Sequence, residues 1–349
     1  MPNRCSYCAA MQFWVIDARA AEGYRLLMSN SKTDKKDAPK RRPKNLPLAP
    51  FGGEKPPAPD WFQTCLDAPF ESGVVNVSGA KICYKAWGKR GKPGLLLVHG
   101  GVAHKSWWDF IGPWFAKHRR VVAMDLSGMG NSDWRDEYDI PIYADEVLAA
   151  GEAAGAFDHE RKPVLAGHSF GGFVTLGSAV LHGTRYERAI IMDSPVRPAE
   201  KQRRTAPPSR GGRIYDSKEE ILGRFRLLPD QTCENPYLLD HIAREGLKSV
   251  TRDDGTMGWA WKFDPNLWTK MQYDMRAAVD TIAEFRCPVA LIRGEKSLLV
   301  TDEVWQFMCK AFPGRTPRFS IPEAHHHVML DQPLALVSSL RALMSCVGD

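Results

Sequence analysis

The chain has 349 residues, 44% hydrophobic and 25% charged, with 11 Trp, a globular composition with length enough to bury a sizeable core. Its net charge of +6 is concentrated: residues 32–44 hold seven Lys/Arg against Asp34 and Asp37, a local +5 that leaves only +1 for the remainder. A remainder so close to neutral excludes the basic surface that nucleic-acid binding needs, and no apolar run approaches the ~20 residues of a membrane span.

Residues 1–58 differ from the rest. The stretch "NSKTDKKDAPKRRPKNLPLAPFGGEKPPAP" is rich in Lys, Pro and Gly and reads as a disordered basic arm. Met28 directly precedes it, so translation from Met28 is an alternative to Met1. Cys5 and Cys8 form a lone C-x-x-C without a second pair, a weak metal signal, and the other six cysteines lie singly among apolar residues. That usage, with the poor signal-peptide pattern of the first twenty residues, predicts a cytoplasmic protein.

From Trp61 onward strand and helix signals alternate. "GVVNVSG" and "AKICYKAWG" predict a two-strand meander turning at Ser78 and Gly79. Six short apolar runs follow, at 94–101, 119–128, 163–169, 188–195, 287–295 and 317–324. Continuous rather than alternating hydrophobicity suits strands covered on both faces. Helical patterns fall between them at 104–117, 143–156, 170–183, 302–312 and 333–345, so the fold class is α/β, a mostly parallel, doubly wound sheet. Between Pro195 and Thr281 the alternation stops. The segments 216–228 and 235–250 read as helices, and the aromatic stretch "GWAWKFDPNLW" follows. The expected organisation is therefore core 59–195, a largely helical cap or lid 196–281 inserted after the sixth strand, and core 282–349.

One turn carries chemistry. Gly167-His168-Ser169-Phe170-Gly171-Gly172 stands between an apolar strand and a helix of small residues. There, glycines permit a turn tight enough to lift a serine hydroxyl clear at the helix start. Upstream, His99-Gly100-Gly101 closes another strand; a backbone N–H of Gly101 or Val102 is expected to pair with that of Phe170 to hold an oxyanion, with His99 supporting the loop. His104, Trp107 and Trp108 are candidate pocket residues.

The order H-G-G, "MDLSGMGNSD", G-H-S-F-G-G, an insertion, then "PEAHHHVMLDQP" resembles the α/β-hydrolase superfamily over roughly residues 70–345. The resemblance implies a serine hydrolase with a helical lid: Ser169 as nucleophile and one histidine of the triple run as base. Laid on the family's last motif, the base is His326, His325 takes the place of a glycine, and His327 points to the following helix. Three consecutive histidines also invite a metal reading, but adjacent side chains diverge and no metal is expected. In most relatives the acid follows the penultimate strand as G-x-x-D. Here that segment is Gly294-Glu295-Lys296-Ser297, with serine where the acid belongs. Asp193, Glu295 and Asp302 are the remaining candidates. Asp302 has an ordinary role as a helix cap. Asp193, which matches the acid position of haloalkane dehalogenase-like members, is preferred, with Glu295 second.

The expected chemistry is acyl transfer from a carboxylic ester, or a related thioester or lactone, to water through an acyl-enzyme on Ser169, without metal or organic cofactor. Carbon–carbon bond hydrolysis on the same residues and a non-catalytic binding protein are the alternatives. Phe225, Trp259, Trp261 and Phe263 of the insertion suggest a small-molecule substrate with an apolar acyl or aromatic group. Arg224 and Arg226 flank Phe225 as candidates for an anionic tail, against the simpler reading of solvated helix arginines.

Overall fold

The computed structural model describes residues 45–201 and 212–345. The Cys5/Cys8 pair, Met28 and the basic run 32–44 lie outside the described residues.

The eight predicted strands form one sheet. β1 (Phe70–Val77) and β2 (Ala80–Trp87) make the antiparallel meander, followed by β3 (Gly94–Val98), β4 (Arg120–Met124), β5 (Val164–His168) and β6 (Arg188–Met192). Past the insertion, which contributes β7 (Leu247–Thr251) and β8 (Met257–Trp261), come β9 (Val289–Gly294) and β10 (Arg318–Ile321). The order is β1-β2-β4-β3-β5-β6-β9-β10, antiparallel through β2/β4 and parallel from there on. β3 to β6 and β9 are buried along their whole length, which is why they read as unbroken apolar runs.

Successive residues of a strand feed opposite faces. Leu96 and Val98 of β3 join Tyr143, Val147, Phe173 and Val174 on the face covered by α2 (Ile140–Ala153) and α3 (Phe170–Leu181), whereas Phe62 and Cys65 of α1 (Asp60–Leu66) pack on the other face. Leu95 and Leu97 join Trp108, Val164, Leu336 and Leu340 on the opposite face. The insertion carries α4 (Lys218–Leu222) and α5 (Pro236–Glu245); α6 (Asp302–Ala311), α7 (Val328–Asp331) and α8 (Pro333–Ser345) complete the chain. The pattern expected as a helix at 104–117 is two 3-10 turns, Lys105–Trp108 and Gly112–Phe115; Pro113, early in the second, has no N–H for an α-helical bond back to Asp109.

Two expectations are corrected. The insertion is not mostly helix. Of the helices expected at 216–228 and 235–250, only 218–222 and 236–245 are α-helical; Gly223 and Gly246 end them. The β-branched residues of 247–251 instead pair with the aromatic stretch, β7 against β8, with alternating burial along β7. Nor are residues 45–58 a free arm. Leu48 is 2% exposed, Asn45 Nδ2 donates to the Gln231 carbonyl at 2.8 Å, and Arg244 donates to the Gly53 carbonyl. A few apolar anchors inside a Pro/Gly-rich segment are enough to seat it, and composition averages them away. Among the described residues no helix is long and apolar enough to cross a membrane.

Candidate active site

β5 ends in the turn that presents Ser169. Its backbone is held at φ 54°, ψ −119°, strained for a residue with a Cβ. The strain is offset by fixed partners: Ser169 N–H donates to the Met192 carbonyl at 2.9 Å and Ser194 Oγ donates to the Ser169 carbonyl at 2.7 Å. Two flanking glycines make the turn possible. A Cβ on Gly167 would lie 2.1 Å from the Gly171 carbonyl oxygen, and one on Gly171 would lie 2.4 Å from the His99 carbonyl oxygen. Any side chain there would push α3 off the sheet.

Three strand ends converge on this turn. Ser169 follows β5, Asp193 follows the neighbouring β6, and His326 follows β10 at the edge. Ser169 Oγ is 2.9 Å from His326 Nε2, and His326 Nδ1 is 2.6 Å from Asp193 Oδ2. Nδ1 therefore carries the proton toward the carboxylate, and the Nε2 lone pair faces the hydroxyl. Asp193 and His326 are each only 1% exposed, whereas Ser169 is partly open. Asp193 is fastened in turn. Its Oδ1 accepts Gly294 N–H at 2.9 Å, its Oδ2 accepts Ser297 O–H at 2.6 Å, and its own N–H donates to the Ile292 carbonyl at 2.8 Å.

The rival acids point elsewhere. Glu295 is exposed and accepts Glu323 N–H at 3.2 Å, while Asp302 pairs with Arg293 at 2.7 Å. Asp302 is not the helix cap either; Thr301 is, with Oγ1 toward Val304 N–H. The histidines beside His326 are placed away from Ser169. His325 pairs with Asp331, and His327 is buried beneath Trp107, ring centroids 5.3 Å apart. His168 donates its Nε2 proton to the His326 carbonyl at 2.9 Å, holding that residue's backbone from behind. Burial first, and the neighbouring His326 second, push His168 and His327 well below the usual histidine range, so both stay neutral.

Adjacent histidines were expected to diverge, yet the rings of His326 and His327 lie 4.7 Å apart, because the backbone here is neither helix nor strand. With His168 they offer ring nitrogens within 4.8 Å of one another. Both nitrogens of His326 already serve Asp193 and Ser169, so a metal held here would have to break that chain.

At the H-G-G loop, a Cβ built on Gly100 would lie 3.3 Å from Ser169 Cβ and one on Gly101 would lie 3.5 Å from Phe170 Cβ. The loop thus lies directly against the Ser169 turn. Of the two expected loop donors, Val102 is withdrawn: at φ 53° it donates its N–H to Met129 Sδ at 3.2 Å. Gly101 remains beside Phe170. His99 supports the loop by donating Nδ1–H to the Gly100 carbonyl at 2.7 Å and accepting Leu126 N–H at Nε2, 3.1 Å away.

Several expected pocket residues are placed differently. Trp108 is fully buried in the core, and His104 is buried with Nε2 toward the Ile242 carbonyl at 2.9 Å. His104 lines a polar cavity of about 220 Å³ with Lys105, Asp125 and Lys262, and Ser169 is not among the residues lining it. Phe225 packs on Trp261 at 5.8 Å, and Trp259 lies under Lys218 Nζ at 4.4 Å, all three within the insertion. Arg224 is paired with Glu220 at 3.4 Å. Among the described residues of the insertion, Trp268 touches both Gly101 and Phe170. Nothing in its sequence setting distinguishes it from the other tryptophans.

Comparison with known proteins places this architecture. A model of the alpha/beta hydrolase family matches residues 95–339. Esterase Rv0045c of Mycobacterium tuberculosis is 23% identical over 273 residues, 78% of this chain and 89% of that protein. A 2-hydroxy-6-oxo-6-(2'-aminophenyl)hexa-2,4-dienoic acid hydrolase of Metapseudomonas resinovorans is 32% identical over 124 residues, 34% of this chain and 41% of that protein. Among solved structures, E-2-(acetamidomethylene)succinate hydrolase superposes with a TM-score of 0.65 at 18% identity, covering 80% of this chain and 100% of the other. The chain belongs to the alpha/beta hydrolase family and is an α/β-fold hydrolase.

Proposed function

We propose that the protein is a serine hydrolase that cleaves a carboxylic ester, or a related thioester or lactone, through an acyl-enzyme on Ser169. The observation that carries this reading is the unbroken chain Ser169 Oγ, His326 Nε2, His326 Nδ1, Asp193 Oδ2, with links of 2.9 and 2.6 Å.

His326 takes the hydroxyl proton at Nε2 as Ser169 Oγ attacks the carbonyl carbon, and Asp193 holds the tautomer and stabilises the imidazolium that forms. Charge developing on the carbonyl oxygen is met by the N–H groups of Phe170 and Gly101. His326 Nε2–H then protonates the leaving alcohol or thiol. Water, deprotonated by the same nitrogen, attacks the acyl carbon; collapse of that second tetrahedral species frees the carboxylic acid and returns the proton to Ser169.

The similarity to a hydrolase of a 2-hydroxy-6-oxo dienoic acid favours a second reading, carbon–carbon bond hydrolysis on the same three residues. A small molecule with an apolar acyl or aromatic group is the proposed substrate class. The deciding experiment labels the protein with a fluorophosphonate probe and assays p-nitrophenyl esters of graded acyl length, wild type beside Ser169→Ala. Labelling and turnover that vanish in the variant support the serine nucleophile; an unlabelled wild type points to a binding protein. Labelling with no ester turnover moves the assignment to the carbon–carbon reading.

A further inference from the structure

We infer that Trp268, which lies outside the serine–histidine–aspartate chain, is a positioning residue that sets the oxyanion donors, so that the inserted segment governs the chemical step and not merely substrate capture. The inference rests on Ser169 being the nucleophile.

Trp268 touches both donors. A Cβ on Gly101 would lie 2.7 and 2.8 Å from two carbons of the Trp268 six-membered ring, so the indole edge rests on the Gly101 backbone. The same indole meets the Phe170 ring edge-on, centroids 5.2 Å apart and planes at 81°. Phe170 is wedged from a second side by Tyr143 at 5.5 Å. Trp268 is 9% exposed and Phe170 4%, so neither ring has room to turn away.

The loop beneath Trp268 is a tight turn closed by a single backbone bond, Ala103 N–H to the Gly100 carbonyl at 3.3 Å. Val102, a β-branched residue at φ 53°, is in a conformation that is unfavourable without outside restraint. Two restraints act on it. Met129, fully buried, takes the Val102 N–H onto its sulfur, and the Trp268 indole closes over Gly101. Both come from one assembly. Residues 126–138 are bonded to residues 262–272 through Gly130 N–H to the Lys262 carbonyl at 2.7 Å and Asp264 N–H to the Gly128 carbonyl at 2.8 Å. Farther along, Tyr138 N–H donates to the Lys270 carbonyl at 3.1 Å and Gln272 N–H to the Tyr138 carbonyl at 2.9 Å. Buried Asp264 ties the middle together, accepting Tyr138 O–H at 2.8 Å and Lys270 Nζ at 2.9 Å. Trp268 therefore sits on a braced segment anchored on both sides, a buttress rather than a swinging lid.

A buttress on oxyanion donors affects the transition state more than the bound ester, because the donors matter most once charge has developed. The test compares wild type with Trp268→Ala, Trp268→Phe, Gly101→Ala and the double variant Gly101→Ala/Trp268→Ala. Fluorophosphonate labelling first establishes that Ser169 is a competent nucleophile; kcat and KM are then measured on p-nitrophenyl butyrate, and the affinity for butaneboronic acid, a tetrahedral anion mimic, is titrated.

The expected result for Trp268→Ala is a kcat lower by about tenfold to a hundredfold, somewhat less than the 10²–10³ lost with an oxyanion donor itself, with KM within about twofold. Boronate affinity falls in parallel, and Trp268→Phe regains most of both. Gly101→Ala is impaired by its clash with the indole, and removing the indole in the double variant restores part of the loss, a strong non-additivity. A raised KM with unchanged kcat would make Trp268 a wall of the substrate pocket and overturn the inference. Additive effects of the two substitutions would do the same. Should Trp268→Ala not fold, Trp268→Phe and Gly101→Ala decide the question through the same split of kcat against KM. An unlabelled wild type would remove the serine-nucleophile reading and this inference together; a labelled wild type with an indifferent Trp268→Ala removes the inference alone.

Discussion

Ser297 Oγ donates a 2.6 Å hydrogen bond to Asp193 Oδ2, the oxygen that also receives His326 Nδ1. The serine standing where the family resemblance leads one to expect the acid is thus bonded to Asp193, the carboxylate proposed for that role. β6 and β9 are neighbours in the sheet, so the ends of the two strands open onto the same spot, and either can deliver a carboxylate to the histidine. Ser297 Oγ is itself held by Val300 N–H at 3.0 Å and Leu299 N–H at 3.2 Å, which turns its proton toward Asp193.

This arrangement fixes the behaviour of three substitutions. Asp193→Asn should lower kcat by roughly 10⁴-fold through the wrong histidine tautomer. Ser297→Ala removes one hydrogen bond to a charged group and should cost about tenfold. Glu295→Gln should be near wild type. Asp193→Ser combined with Ser297→Asp, which moves the carboxylate back to the other strand end, should recover part of the Asp193→Ser loss. Steady-state turnover of one ester across wild type and the five variants decides it; a normal Asp193→Asn alongside an inactive Glu295→Gln would sink the assignment.

Ser169→Ala and His326→Ala should each lose about 10³-fold or more in turnover with the fold retained. His325→Ala and His327→Ala should lose far less, since the first pairs with Asp331 at the rim and the second lies buried beside Trp107. Circular dichroism and kcat on the four variants suffice. A His325→Ala as damaging as His326→Ala would show the register to be displaced by one residue.

The sheet and the serine turn were legible because each rests on a local pattern. An apolar five-residue run covered on both faces, such as Gly94 to Val98, looks the same in any sequence context, and Gly167 and Gly171 are demanded by contacts within the turn's own strand and helix or with its immediate neighbour. What escaped depends on distant partners. The aromatic stretch 259–268 reads as a pocket lining, but only pairing with 247–251 makes its first part a strand, and only the bonds to 128–138 carry Trp268 to Gly101. Likewise the Ser297–Asp193 bond joins residues 104 apart in the chain. Trp108 fell to the same ambiguity from the other side: an aromatic beside the H-G-G loop is equally compatible with pocket and core, and it is core.

The segment 45–56 should contribute measurable stability. Burying Leu48 is worth roughly 2 kcal/mol, and Arg244 loses its Gly53 carbonyl partner if the segment is removed. A chain beginning at Pro57 should therefore melt about 2–5 °C below one beginning at Asn45, and Leu48→Ala in the longer chain should account for much of the difference. Equal melting temperatures would mean the segment rests on the domain without holding it.

The final prediction concerns pH. Burial holds His104 neutral, its affinity for a proton pushed down to about 4 from the ordinary 6.5. His99, His168 and His327 are shifted the same way, by burial above all. In the unfolded chain these rings protonate near pH 6.5, whereas in the folded chain they resist, so as pH falls through this range the unfolded state binds more protons and stability declines. For His104 the loss begins as pH drops below about 6.5 and is complete near pH 4, amounting to ~3 kcal/mol over that window. Buried Glu146 and half-buried Asp331, whose carboxyls are raised by burial, oppose part of the decline by protonating earlier in the folded state. The clean measurement is therefore a difference: urea unfolding at pH 7 and pH 4.5 for wild type and His104→Gln. The variant lacks one titrating ring, so its stability should fall less between the two pH values, by about 2–3 kcal/mol, whatever its starting level. Parallel losses in both proteins would mean that His104 is protonated in the folded state, and that the burial seen around it does not keep its charge out.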